Sequence, residues 1–366
     1  MTEYDVAIVG AGSAGLNTAI ACSELGLSVA VIEEHKKIGF PRHCSGLYSA
    51  RFAKLVGIES DYLEHEVSGA RLISPNGNVV EIDKKETVAF VVDRAKFDSH
   101  LALIAKDVGV AMITGEKATN TKIGGDGIRI TAGKKTLGAK LLCGADGSNS
   151  AIAKMIGAKP PHKINGIMAI TDDENYSKHV DLYFDNKLYP NFFAWKIPRG
   201  KTTEYGLAGE AGPKNIENFR NFLAKSNVDK YELSSGIIPF GFQKSFADRV
   251  LLVGDAAAQT KPLTGGGVIY NTICGRIAAK VFADAIKKKR YDAKFFAIYE
   301  KTWHKAIGRG IKRGLFLRKI YSKMPNAAID AVFKIFGNRF FENMISKYGD
   351  MEFVLAREPH AETKLF

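Results

Sequence analysis

The sequence predicts an α/β protein, α+β overall. A parallel-sheet domain is interrupted by an antiparallel-sheet domain and followed by a helical C-terminal region. Three observations predict this. The first 33 residues read strand, glycine turn, helix, strand, acid. A strand running into bare glycine, VLLVGDAAAQTKPLTGGG at 250–267, returns that texture far down the chain. Between the two, short strands and aromatic residues dominate 161–235.

Taken in order, residues 4–9 and 28–32 are short β-branched runs, and the helix between them closes at Gly26. ARLISPNGNVVEI (70–82) places alternating strands around Pro75-Asn76-Gly77, a hairpin signal. TVAFVV (87–92) predicts a third strand. Asp93 then caps a helix with Phe97, Leu101, Ile104 and Val108 on one face and Gly109 as its stop. Residues 110–142 predict short strands with a hairpin at Gly124–Gly127, and LLCGADG (141–147) ends another strand in a loop. Helices are expected near 214–225, from Gly267 to Ile286, and in the basic tail from about 300. The expected boundaries are 1–66, 93–160 and 236–297 for the discontinuous first domain, 67–92 and 161–235 for the inserted sheet, and 298–366 for the helical basic region.

Composition narrows the function. At 366 residues and 46% hydrophobic, the chain can bury a large core. Cys22, Cys44, Cys143 and Cys274 show no CxxC spacing, which fits reduced thiols in a cytoplasmic protein without a zinc site. The run from Val6 to Ile32 is apolar enough to mimic a membrane span. It follows an acidic MTEYD, however, and carries Gly10, Gly12, Gly15, Asn17 and Glu24, so it reads as soluble. The net charge of +13 is concentrated late, in KKKR (287–290) and from Lys301 to Lys323. With no zinc finger, RNP signature or recognition-helix pattern, nucleic acid is the weaker reading.

Gly10-x-Gly12-x-x-Gly15 lies between the first strand and helix, the context of a Rossmann-type dinucleotide fingerprint. Gly10 permits the tight turn, Gly12 the approach of a pyrophosphate, and Gly15 the packing of helix on strand. The helix N-terminus then faces the phosphates. Glu33 closes the second strand and can accept ribose hydroxyl protons, which argues against a 2′-phosphate. Arg94, Asp146 and Asp255 separate FAD from NAD. An aspartate just past a buried strand, beside a phosphate site, is electrostatically poor unless it grips hydroxyls, and the ribityl chain of FAD supplies them. Gly265, Gly266 and Gly267 open a helix whose N-terminus would meet the flavin ring.

Those pieces, in that order, resemble the flavoproteins related to p-hydroxybenzoate hydroxylase, and within them the geranylgeranyl reductases that saturate isoprenoid chains of archaeal lipids. Two motifs carry the narrower resemblance. PRHCSG (41–46) is similar to the reductases' cysteine-and-glycine loop, and YPNFFAWKIPR (189–199) to their substrate-pocket motif. Phe193, Ile197 and Ser45 stand where the family usually has Tyr, Phe and Gly. The resemblance implies FAD contacts from Ala14, Glu33, Arg94, Ala118, Asp255, Pro262, Gly267 and Val268. It also implies a loop from Arg42 through Cys44 and Ser45 to Leu47 beside the flavin, and substrate contacts from Tyr189, Phe193, Trp195 and Pro198.

Reduction of an isolated alkene needs a proton as well as a hydride. The Cys44 thiol, mostly protonated at neutral pH, is the candidate donor; packing against the ring as a small apolar group is the other reading. The remaining three cysteines sit in core patterns. Tyr183, Phe184, Tyr189, Phe192, Phe193 and Trp195 are candidates to line an apolar tunnel, in which a prenyl chain gains roughly 0.8 kcal/mol per CH₂. In the tail, Trp303, Ile307, Ile311 and Leu315 form one stripe, and Ile329, Val332, Phe333 and Phe336 another, with basic residues around them. That pattern suits peripheral contact with an anionic cytoplasmic membrane face or a solvated helix face. Without a second GxGxxG, electrons would come from NAD(P)H visiting the flavin or from an acidic carrier such as ferredoxin. Two other readings stay open. One is a flavin monooxygenase or halogenase, since FAWKIP also resembles the halogenases' W-x-W-x-I-P; the other is an electron-transfer flavoprotein serving a membrane quinone.

Overall fold

The computed structural model describes residues 3–159 and 161–337. In chain order, the elements up to residue 92 are β1 (Glu3–Val9), α1 (Ser13–Glu24), β2 (Val29–Glu33), β3 (Leu47–Ser49), α2 (Arg51–Val56), β4 (Leu63–Val67), β5 (Gly69–Ile73), β6 (Val79–Asp83) and β7 (Ala89–Val92). Next come α3 (Arg94–Asp107), β8 (Ala111–Thr114), β9 (Ala118–Ile123), β10 (Ile128–Ala132), β11 (Lys135–Gly144), α4 (Ala151–Met155), β12 (His162–Thr171), β13 (His179–Tyr183), β14 (Ala194–Pro198) and β15 (Thr203–Gly209). The chain continues with α5 (Pro213–Lys225), β16 (Glu232–Phe240), β17 (Phe246–Ala247), β18 (Val250–Leu252), α6 (Val268–Lys288), α7 (Ala293–Trp303), α8 (Arg309–Tyr321) and α9 (Asn326–Phe336).

Two compact units emerge. The first comprises 1–41, 95–162 and 239–312; the second comprises 42–94, 163–238 and 313–366. Residues 42–66, grouped with the first domain by sequence pattern, thus fall in the second. The reason is pairing: β3 and β4 both hydrogen-bond to β7 in a three-stranded sheet. The tail is divided rather than separate. Trp303, Ile307 and Ile311 are buried in the first unit, and the chain from Arg313 belongs to the second. The part of the expected helical region beyond 337, and the Phe336 side chain, lie outside the described residues.

In the first unit, the sheet runs β17-β18-β11-β1-β2-β8, with β10 on β11 and β9 on β10. The β18, β11, β1, β2 and β8 ladder is parallel, so both faces need cover, and β1 from Val6 to Val9 and β2 from Val29 to Ile32 are apolar and buried. α1 and α6 pack together, while Ile128, Ile130, Leu142, Ile152, Val250 and Leu252 form a core cluster. On α3, Phe97, Leu101, Ala102 and Ala105 make the buried face. Val108, expected on that stripe, is 36% exposed, because the helix ends at Asp107 and the chain turns at Gly109.

In the second unit, a seven-stranded sheet runs β16-β12-β15-β14-β13-β5-β6. The expected hairpin is β5 with β6, closed by Gly77 N–H donating to the Ser74 carbonyl. The sheet is not wholly antiparallel, since β5 pairs parallel with β13. These two strands come from segments of the chain far apart in sequence, so no tight turn dictates their direction. One face carries Ile167, Ala194, Tyr205 and Leu207 under α5, and the other carries Val180 and Ile197 against Val67, Ala89 and Val91 of the small sheet. Among the described residues, no helix is long and apolar enough to cross a membrane.

Candidate functional site

The glycine turn of the first unit separates structural from ligand-facing roles. Gly10 has φ +103°, and a Cβ there would stand 2.3 Å from the Ala145 carbonyl oxygen. A Cβ on Gly15 would come within 1.9 Å of the Gly10 oxygen, so this glycine lets α1 start flush against the end of β1. Gly12 differs. It caps α1 with φ −75° and ψ 178°, which any residue adopts, and a Cβ there would meet nothing within 4 Å. No side-chain bond caps α1 at Gly12, and a helix N-terminus of that kind suits an anion.

Around this turn, Ala11 N–H donates to Glu33 Oε2 at 2.7 Å, and His35 N–H to Glu33 Oε1 at 2.9 Å. Oε1 also meets His35 Nδ1 at 2.6 Å, so Oε2 is the oxygen with a lone pair left for a hydroxyl. Ala118 opens β9 beside that acid, where Glu116 N–H donates to the Glu33 carbonyl at 3.0 Å. Asp255 lies half-buried in the turn after β18, with Oδ1 3.5 Å from where a Gly267 Cβ would stand. The Asp255 turn reaches α1 through Gly254, where a Cβ would lie 2.6 Å from the Ala14 methyl.

Pro262, Gly265 and Gly266 form a tight loop in which Gly265 N–H donates to the Lys261 carbonyl and Lys261 N–H to the Gly266 carbonyl, both at 2.9 Å. Gly267 caps α6 without a side-chain bond, and Val268 begins the helix. One turn in, Asn271 is buried with no hydrogen-bond partner for its Oδ1. A bare cradle, two helix N-termini without side-chain caps and an orphaned acceptor fit a dinucleotide carrying a polar ring.

Asp146 departs from the expected hydroxyl-gripping role. It accepts from Ser150 Oγ at 2.5 Å and from the Ala151 and Ile152 N–H groups at 2.7 and 3.2 Å, so it is committed to starting α4.

In the second unit, the loop from Arg42 to Leu47 is anchored residue by residue. Arg42 Nη2 donates to Asp93 Oδ2 at 2.9 Å, and Ser234 Oγ donates to the Arg42 carbonyl. His43 Nδ1 meets the Ser235 carbonyl at 2.6 Å. The Ser45 carbonyl accepts from Arg199 Nη1 at 2.6 Å. Gly46 has φ +70° and lies so close to Val92 that a Cβ would fall 2.1 Å from its carbonyl oxygen. Leu47 enters β3 opposite Val91.

Cys44, half-buried between these anchors, has its Sγ 3.8 Å from the Tyr48 hydroxyl, which in turn accepts from Arg94 Nη1 at 3.0 Å. The other three cysteines are buried and their thiols pushed up by burial, as core residues are.

The aromatic set divides between the two sheet faces. Tyr189 packs with Phe219, Phe222 and Tyr205 beneath α5, and Tyr183 stands edge-on to Phe222. Trp195 lies on the opposite face, flat over Gly206, where a Cβ would meet its ring at 2.3 Å. Phe193 bridges Trp195 and Phe184, with centroids at 6.2 and 5.7 Å. Pro198 is buried at the end of β14. Tyr189 and Trp195 therefore do not share one wall: Tyr189 lies in the turn before β14, on the α5 side with Ala194, and alternation along β14 sends Trp195 to the side opposite Ala194.

Four residues escaped the sequence reading. Tyr48 and Asn271 belong to no motif that marks them in the sequence. Arg199 directly follows the FAWKIP motif, and Glu204 is an acid in the otherwise uncharged, wholly buried strand β15, a signal that could have been read.

A family model described as FAD binding domain matches residues 3–191. The chain is 30% identical over 345 residues to a digeranylgeranylglycerophospholipid reductase of Methanothrix thermoacetophila, covering 88% of each chain. It is 29% identical to digeranylgeranylglycerophospholipid reductase 2 of Methanothermobacter thermautotrophicus, over 91% of each. The crystal structure of a geranylgeranyl bacteriochlorophyll reductase-like protein from Thermoplasma acidophilum superposes with a TM-score of 0.87, at 22% identity, over 93% of this chain and 92% of that one. A glycine cradle shaped for a dinucleotide and matches running through both units lead to one conclusion: the chain belongs to the FAD-binding flavoproteins and, among them, to the digeranylgeranylglycerophospholipid reductase family.

Proposed function

We propose that this chain is an FAD-dependent oxidoreductase that saturates isoprenoid double bonds in a geranylgeranyl-bearing glycerophospholipid. The observation that carries the reading is identity to the reductases across nine-tenths of the chain, which spans both the glycine cradle and the FAWKIP strand. Reduced FAD, when bound, supplies the hydride. The protein must place the alkene, keep water away and deliver one proton to the other carbon. Cys44 is the proposed proton donor, supported by a half-buried thiol with the Tyr48 hydroxyl as its polar neighbour. Phe193 and Trp195 offer the apolar wall for the prenyl chain, where each buried CH₂ contributes roughly 0.8 kcal/mol.

NAD(P)H or an acidic electron carrier is the proposed reductant of the flavin. A peripheral position on an anionic membrane surface is part of the same reading. α8 holds five basic residues and no acid, and exposes Phe316 (63%) and Ile320 (47%) beside Arg313 and Lys319. The functional test is anaerobic incubation of the dithionite-reduced holoprotein with digeranylgeranylglycerophospholipid in deuterated water, followed by lipid mass analysis. Saturated chains carrying deuterium are expected; unchanged lipid would sink the proposal, and a hydroxylated or halogenated product formed under oxygen would replace it.

A further inference from the structure

One buried cation joins the cysteine loop to the pocket strand. Arg199 is 5% exposed. Its Nη1 donates to the Ser45 carbonyl at 2.6 Å and to Glu204 Oε2 at 2.9 Å, and Nη2 reaches the Val92 carbonyl at 3.3 Å and the Glu64 carboxylate. Glu204 is fully buried, and its second oxygen accepts from Trp195 Nε1 at 2.9 Å. A guanidinium is suited to this because its planar fork presents several fixed donors that an ammonium cannot reproduce. The connected set runs from the peptide next to Cys44, through Arg199 and Glu204, to the indole of Trp195. All of it lies within the second unit.

A buried ion pair is a poor investment if stability is its only purpose, since apolar replacements are often as stable. Position is the better explanation here. The loop is pinned at His43, Ser45 and Gly46, which leaves Cys44 between anchors, and Arg199 holds two of these, bonding the Ser45 carbonyl directly and the Val92 carbonyl against which Gly46 packs. We propose that Arg199, held by Glu204, is a positioning residue that fixes the Cys44 loop and the Trp195 indole in one geometry, so that proton donor and prenyl-chain wall keep a set separation. The inference rests on the reductase reading for its catalytic consequence, but not for its geometric one.

The experiment uses Arg199→Lys and the isosteric Glu204→Gln in the FAD-loaded full chain, with Cys44→Ser as the blank. Native-state alkylation by iodoacetamide reports the loop directly, because the other three cysteines are buried. The expected result is a folded Arg199→Lys protein whose Cys44 alkylation rate changes by about tenfold and whose kcat falls at least as far, with KM changed much less. Glu204→Gln should move both in the same direction by less. If the parent protein reduces no lipid, the reductase reading fails while the alkylation result still decides the positioning. Rates and kcat within about twofold of the parent in both variants would overturn the proposal, and so would loss of folding in both, which would make the pair purely structural.

Discussion

Gly12→Ala separates a glycine kept for a ligand from glycines kept for the fold. The backbone at residue 12 already has ordinary extended angles, and the added methyl meets no protein atom within 4 Å. Restricting the unfolded chain favours Ala by about 0.4–1 kcal/mol, and its poorer capping costs a similar amount. The apoprotein should therefore melt within a few degrees of the parent, at about 2–4 °C per kcal/mol. The same methyl stands where a pyrophosphate must approach. Losing two charge-assisted hydrogen bonds, at about 1.5–3 kcal/mol each, would weaken FAD binding by about 10²–10⁴-fold. Gly15→Ala is the contrast. Its methyl would sit 1.9 Å from the Gly10 oxygen, so overpacking of about 1–3 kcal/mol should lower the melting temperature of the apoprotein itself. Flavin-fluorescence titration of apoprotein, with scanning calorimetry beside it, reads both quantities. A Gly12→Ala protein that binds FAD like the parent, or that melts like Gly15→Ala, would refute the reasoning.

Other expectations follow from single contacts. Cys44→Ser should retain FAD and stability but lose about 10²-fold in turnover, measured under anaerobic single-turnover conditions; unchanged turnover would remove the thiol from proton delivery. Asp330 ties α9 to the β5–β6 turn, accepting from Ser74 Oγ at 2.6 Å and Asn76 N–H at 3.0 Å, and the Ser74 bond above all holds its carboxyl below the ordinary value. A depressed folded pKa means stability that is present above the unfolded value of about 4 and lost as pH falls through the folded one. Hydrogen exchange should accordingly show α9 loosening below about pH 4 in the parent, and an Asp330→Asn protein without that pH dependence. Replacing Arg313 and Lys319 with Glu should abolish sedimentation with anionic vesicles while leaving neutral vesicles unaffected; equal sedimentation by parent and variant would rule out α8 as the contact.

Much of the first unit was legible because its signals are local. A glycine turn between an apolar strand and a helix needs only adjacent residues, and the spacing of Gly10, Gly12, Gly15 and Glu33 alone indicated a dinucleotide. Val108 and Asp146 show where local reading stops. One lies a residue past the helix end that would have buried it, and the other uses its carboxylate on N–H groups whose freedom depends on where α4 begins.

By itself, then, the sequence determined the cofactor cradle, the α/β class and the presence of a cysteine loop and an aromatic strand. Only the tertiary structure decided that residues 42–66 join the second unit, that Tyr189 and Trp195 stand on opposite faces of one sheet, and that Arg199 grips the carbonyl beside Cys44. The physical reason is sequence separation. Strand pairing and buried hydrogen bonds join residues more than a hundred positions apart, such as Ala70 with Val180 and Ser45 with Arg199, and no periodicity or motif within either segment encodes the partner.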